Sequence, residues 1–255
     1  MTAVVRAGSR PRHGTFLMAR TDLLPSLEQI LATRTLTEWA AEHPLRDVRH
    51  GRAPTWVVPL AADVTVVVRH AWHGGLLAPL TRDRWRAPGR AEHEVQSSDR
   101  LREQGVRTPT VLAWASYAAG AGLIRYDVCT QFIPRARDLA TLFRDSDRVA
   151  ALDAVRAVST LLQTLSTARA RHADLNIKNV LVADDGVAWV LDVDRVSFDT
   201  TDPATVHAAN WARLLRSATK WQRTLGERIP LAALRDAAQT HPSVRPSHLV
   251  PPVAS

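Results

Sequence analysis

His172-Ala173-Asp174-Leu175-Asn176-Ile177-Lys178-Asn179 is the stretch on which the reading of this 255-residue chain turns. It fits the pattern H-x-D-L-x-x-x-N. Phosphoryl transfer explains the spacing. One carboxylate, Asp174, accepts or orients the proton of an attacking hydroxyl. An amide oxygen five residues later, on Asn179, reaches a metal that bridges the phosphates of a nucleotide. A second carboxylate is needed on that metal, and Leu191-Asp192-Val193-Asp194 supplies it after the next turn. The expected roles are Asp174 as base, Asn179 as metal ligand and Asp192 as principal metal ligand. The plain alternative is that His172 and Asp174 cap a turn while Asp192 and Asp194 sit in a solvated loop.

Working outward, Val180-Leu181-Val182 and Ala188-Trp189-Val190-Leu191 read as short strands joined by Asp184-Asp185-Gly186, a good hairpin turn. Upstream, Asp147 to Ala170 reads as a long helix with Val149, Leu152, Val155, Val158, Leu162 and Leu165 on one stripe. Residues 138–144, 204–224 and 230–239 also read as helical. The proline-bearing end of the chain reads as an irregular tail.

Before Pro134 the character differs. Thr55-Trp56-Val57-Val58-Pro59-Leu60 and Val64-Thr65-Val66-Val67-Val68-Arg69 are β-branched runs that read as a hairpin. Residues 109–118 and 122–132 read as two more strands, and 90–104 as a helix. Residues 1–20 look irregular, and 21–42 read as a helix with Asp22 as its cap. The order is strands with helix, a connector near 131–135, then helices with one inserted hairpin. That predicts an α+β fold in two lobes: 1–130 as an N-terminal extension and β-rich N-lobe, and 131–255 as a short, mainly helical C-lobe.

The N-lobe should supply a cation for the phosphates. Lys178 and Lys220 are the only lysines, and neither lies there. Arg69, at the end of its strand, takes the role through its planar fork, although it is not geometrically equivalent to lysine. Glu94 on the following helix is the expected ion-pair partner, with Glu92 the second choice. A glycine-rich phosphate loop is reduced to Gly51 in Gly51-Arg52-Ala53-Pro54.

The bulk numbers fit a soluble globular chain with 45% hydrophobic and 23% charged residues. The balance of 33 basic against 25 acidic residues gives a net charge of +8, which favours an anionic partner or reflects an Arg-rich genome. Cys129 is the only cysteine, so neither an internal disulfide nor a cysteine-based zinc site can form. No signal pattern and no run of ~18 apolar residues stands out, so a cytoplasmic location is expected. His70 and His73 are too few for a metal pair and read as turn or surface residues. Arg82, Arg84, Arg86 and Arg90 beside Leu76, Leu77, Leu80 and Trp85 read either as an interfacial patch or, more plainly, as a solvated linker.

These residues fit the protein-kinase-like fold. More narrowly, the chain resembles the bacterial 3-deoxy-D-manno-octulosonic acid (Kdo) kinases and the related lipopolysaccharide core heptose kinases. The resemblance runs from about residue 45 to 220. It is carried by Val68-Arg69-His70, Arg90-Ala91-Glu92-His93-Glu94 and Ile133-Pro134-Arg135. His172-Ala173-Asp174-Leu175-Asn176, Leu191-Asp192-Val193-Asp194-Arg195 and Asn210-Trp211-Ala212-Arg213-Leu214 continue it. Membership implies ATP and Mg²⁺, with Arg69, Gln131 and Ile133 at the nucleotide. It also implies transfer of the γ-phosphate to a hydroxyl of Kdo attached to lipid A, at the cytoplasmic face of the inner membrane with peripheral contact to it. Val193 and Gln131 depart from the family pattern, where an aromatic and an acidic residue are expected.

Two other readings stay open from the residues alone. One is a kinase of another small hydroxyl compound, such as a sugar or an aminoglycoside. The other is a non-catalytic pseudokinase scaffold, against which the set Asp174, Asn179 and Asp192 argues. Nucleic acid is not an expected partner, because no recognised module is present.

Overall fold

A computed structural model describes residues 4–49, 54–72, 83–198 and 202–240. The readings made at Gly51, His73, the 74–82 stretch including Arg82, and the C-terminal tail lie outside the described residues.

An antiparallel sheet organises the N-terminal half in the order β1-β2-β6-β7-β5-β4-β3. Its strands are β1 (Arg6–Ser9), β2 (Thr15–Arg20), β3 (Asp47–Arg49), β4 (Thr55–Ala61), β5 (Val64–His70), β6 (Val111–Ala118) and β7 (Ile124–Gln131). Residues 6–9 and 15–20, expected to be irregular, are therefore strands. Thr15–Arg20 alternates buried and half-buried positions, and it pairs with β6 from Thr15↔Tyr117 to Ala19↔Ala113. The strand is specified by this distant partner rather than by its own composition.

The expected single helix over 21–42 is two: α1 (Leu24–Leu31) and α2 (Leu36–Glu42). Thr35 ends the continuity by starting a capping box. Its hydroxyl accepts the Glu38 amide at 3.1 Å, and Glu38 accepts the Thr35 amide at 2.7 Å. Asp22 caps nothing; it pairs with Arg20.

α1 and α2 cover one face of the sheet through Leu27, Leu31, Leu36 and Ala40, against Leu17, Val58, Val66, Val68 and Cys129. On the other face, α3 (Gly89–Glu103) packs Ala91 and Val95 near Trp114, Tyr126 and Val128. Period-two alternation along β5 decides the rest. Val66 and Val68 point to the covered face, while Val67 and Arg69 line a cleft.

The C-terminal half holds β8 (Arg137–Asp138), α4 (Leu139–Asp145), α5 (Arg148–Thr167), β9 (Ala170–His172), β10 (Val180–Val182), β11 (Ala188–Val190), β12 (Val196–Phe198), α6 (Pro203–Leu225) and α7 (Leu231–Gln239). Its core joins Ala151, Ala154, Val155, Val158, Leu162 and Leu165 of α5 to Trp211 and Leu214 of α6 and Leu234 of α7. Val149 departs from the expected stripe and is 68% exposed, because the buried face runs through Ala151, Ala154 and Val155, and Val149 lies about 200° around the helix from Ala151. Leu101 and Val106, at the end of α3 and just beyond it, pack into this core, so α3 ties the two halves together.

Candidate active site

Two short antiparallel pairings build the floor of the site. β10 pairs with β11 across the Gly186 turn, whose φ of 76° suits glycine. β9 pairs with β12, setting His172 opposite Val196. The loop 173–179 and the turn 191–195 leave these pairings side by side.

The loop is knotted by its own amides. Asn176 Nδ2 donates to the Asp174 carbonyl at 2.9 Å, and Asn179 Nδ2 donates to the same oxygen at 3.1 Å. Asn176 Oδ1 accepts the Lys178 amide at 2.9 Å. These bonds spend the Asn179 donor on the loop. Its Oδ1 then has no partner among the described residues.

Helix α6 fixes the loop from behind. The fully buried Asn210 accepts the His172 amide at 3.0 Å and donates to the Ala170 carbonyl at 3.0 Å. Ser217 Oγ accepts the Ile177 amide at 3.2 Å. His172 is fully buried, and burial holds its imidazole below the ordinary histidine range despite the bond to Leu191.

The second carboxylate follows β11 directly. The Leu191 amide donates to the Asn179 carbonyl at 2.8 Å, which locks the start of the turn to the loop. Asp192 then adopts a left-handed conformation, φ 53° and ψ 48°, which aspartate tolerates better than most residues. Its carboxylate is exposed and has no hydrogen-bond or ion-pair partner among the described residues. Asp194 is different: its side chain is 4% exposed and is ion-paired with Arg90 of α3. The solvated-loop alternative fails for Asp194.

From the sheet, Arg69 reaches Glu94 of α3 in an ion pair. Burial works against the Arg69 charge, but Glu94 and then Asp192 outweigh it and raise its pKa. Burial raises the Glu94 carboxyl, and Arg69 only partly offsets this. α3 is tied to the turn 192–196 at two points, through Arg90–Asp194 and through His93 Nε2 on the Val196 carbonyl at 2.9 Å. Neither tie was legible beforehand, since each joins residues about a hundred positions apart.

The connector completes the wall. Gln131 donates its amide to the Thr110 carbonyl at 2.9 Å. The Ile133 amide has no hydrogen-bond partner among the described residues, and the side chain is 6% exposed. An unpaired backbone donor next to an apolar side chain suits the edge of a purine ring.

Arg69, Glu94, Gln131, Ile133, Asp174, Asn179 and Asp192 all line one cleft of about 630 Å³. The volume falls within the range of small-molecule and cofactor sites. Asn179 Oδ1 and the Asp192 carboxylate form an all-oxygen pair. That suits Mg²⁺, which takes few protein ligands and keeps water and phosphate oxygens. Among the described residues no cluster of three or more His, Cys, Asp or Glu could hold a metal by itself.

Other marked residues fall elsewhere. His70 lies not in a surface turn but between two carboxylates, with Nδ1 2.6 Å from Asp127 and Nε2 3.1 Å from Asp83. Arg90 is engaged with Asp194, and Trp85 packs on Tyr126 and bonds back to Ile124, so both half-buried residues are tied to the folded body. No helix among the described residues is long and apolar enough to cross a membrane.

A family model described as the lipopolysaccharide kinase (Kdo/WaaP) family matches residues 17–232. A relative described as 3-deoxy-D-manno-octulosonic acid kinase, from Vibrio cholerae serotype O1, is 30% identical over 174 residues, or 67% of this chain and 72% of the relative. One of the same description from Actinobacillus succinogenes is 29% identical over 200 residues, 75% of this chain and 82% of the relative. Another from Xylella fastidiosa strain M12 is 30% identical over 199 residues, 76% and 75% respectively. A solved structure described as WaaP in complex with acyl carrier protein aligns with a TM-score of 0.47 at 17% identity, over 83% of this chain and 94% of that one.

Proposed function

This chain belongs to the lipopolysaccharide kinase (Kdo/WaaP) family, and from that premise we propose that it transfers the γ-phosphate of ATP to a hydroxyl of Kdo attached to lipid A. The single observation that carries the proposal is the shared cleft: the residues phosphoryl transfer needs, drawn from the sheet, α3, the connector and the loop 173–179, face one another across it.

In this reading Asp174 accepts the proton of the acceptor hydroxyl as its oxygen bonds to the γ-phosphorus and the bond to ADP breaks. The exposed Asp174 carboxylate meets that hydroxyl, while its carbonyl is held by Asn176 and Asn179. Arg69, braced by Glu94, directs its fork at the phosphates. The backbone near Gln131 and Ile133 takes the adenine edge. Asn179 and Asp192 would hold Mg²⁺, which when bound supplies positive charge against the phosphate oxygens. Residues 1–130 and 131–255 act as the two lobes. We place the enzyme in the cytoplasm, in peripheral contact with the inner membrane that carries its acceptor.

The test is the product formed from Kdo–lipid A and ATP by the purified protein. A single phosphate ester on Kdo is expected. Phosphate appearing only on free sugars or aminoglycosides, with none on the glycolipid, would overturn the acceptor.

A further inference from the structure

We propose that the exposed face of α6 is a docking surface for an anionic lipid bilayer, which sets the loop 173–179 against a membrane-borne acceptor. The inference rests on the acceptor proposed above.

The 23 residues of α6 include no Asp or Glu. Its cations Arg213, Arg216, Lys220 and Arg223 are all exposed, and none has an acidic partner among the described residues. At 3.6 residues per turn these four positions fall within an arc of about 80° and span ~15 Å of helix. They form a straight row on the side of α6 away from the core residues Trp211, Leu214 and Ala218.

The same helix holds the catalytic loop. Asn210 and Ser217 bond to its backbone, and Lys178 lies over the Trp221 ring with Nζ 5.5 Å from the centroid. Around the helix Ser217 lies about 40° and Trp221 about 80° beyond the edge of the row at Arg213. A surface that meets the row therefore lies beside the loop carrying Asp174.

Charge complementarity favours a bilayer of anionic headgroups over other anions. A flat row of cations matches a plane of charge. Ala209 and Ala212 lie on the same exposed side as the cations, with no aromatic between them on which nucleic-acid bases could stack. With no bulky apolar side chain in the row, binding should be electrostatic and salt-sensitive.

The experiment compares wild type with Arg213→Gln/Arg216→Gln/Lys220→Gln/Arg223→Gln, all solvent-facing changes. Co-sedimentation uses vesicles of phosphatidylethanolamine with or without phosphatidylglycerol. Each basic residue near such a surface strengthens binding roughly fivefold, so the variant should bind on the order of a hundredfold more weakly or worse. Activity is read on the acceptor in phosphatidylglycerol vesicles and on the same acceptor in neutral detergent. Selective loss on vesicles with retained turnover in detergent supports the docking surface. Equal vesicle binding by variant and wild type overturns it, as does single-stranded RNA binding that is abolished in the variant while vesicle binding is not. Absence of wild-type turnover in detergent overturns the acceptor reading instead, independently of the sedimentation result.

Discussion

His172 Nε2 donates to the Leu191 carbonyl at 2.9 Å, tying the loop that carries Asp174 to the turn that carries Asp192. The other ring nitrogen, Nδ1, accepts the Asp174 amide at 3.2 Å. One buried imidazole therefore sets the spacing of both carboxylates, and it can do so only as the neutral Nε2–H tautomer.

That requirement gives a pH prediction. In the unfolded chain His172 takes up a proton near its ordinary value of ~6.5. In the folded chain burial lowers that value. Its contribution to stability is thus present above pH ~6.5 and is lost as pH falls through the depressed folded value. His70, whose pKa is raised by Asp127 and Asp83 against the cost of burial, acts with the opposite sign. Urea unfolding of wild type and His172→Gln between pH 5 and 8 separates the two. The gap in stability between the proteins should shrink toward the acid end.

Arg69 and Glu94 are a largely buried pair, and removing one partner leaves the other uncompensated. Arg69→Ala should cost about 3 kcal/mol of stability and most of the activity. Arg69→Lys should keep the fold but lose the fork, raising KM for ATP roughly tenfold. Thermal melts and steady-state kinetics with ATP varied check both.

The Arg90–Asp194 pair joins α3 to the turn that carries Asp192. A double-mutant cycle with Arg90→Ala and Asp194→Ala should return a coupling of about 1–3 kcal/mol in stability. Both single variants should show a raised KM for ATP. Additive effects would mean that the pair does not hold the turn.

Asn210 satisfies two backbone groups that are otherwise buried without partners. Asn210→Ala should cost about 2–4 kcal/mol and slow turnover, although it touches no substrate. Circular dichroism melts alongside kcat at saturating ATP and acceptor test this.

The layout of the candidate site was legible in the sequence because it is local. Asp174 and Asn179 stand five apart on one loop, and the hairpin 180–190 fixes where Asp192 follows. That Arg69 ends a strand was readable too, whereas the pleat that sends it to the cleft with Val67 shows only in the folded sheet. What could not be read was set by distant partners. Residues 15–20 become a strand only beside β6, and Arg6 is held by Asp99 and the Val111 carbonyl. The break between α1 and α2 did have a local signal, Thr35-x-x-Glu38, which outweighs the helical periodicity running through 21–42. Arg90 read as part of a basic patch because its partner lies 104 residues away.

The central claim is that Asp174 and Asp192 carry phosphoryl transfer in this cleft. Its most direct test is phosphate transfer from ATP to Kdo–lipid A by Asp174→Asn and Asp192→Asn, with folding verified by thermal melts. Asparagine keeps the side-chain shape and, at 192, the left-handed backbone. The account predicts that each variant melts near wild type and loses on the order of a thousandfold or more in kcat. Full activity in either folded variant would contradict it.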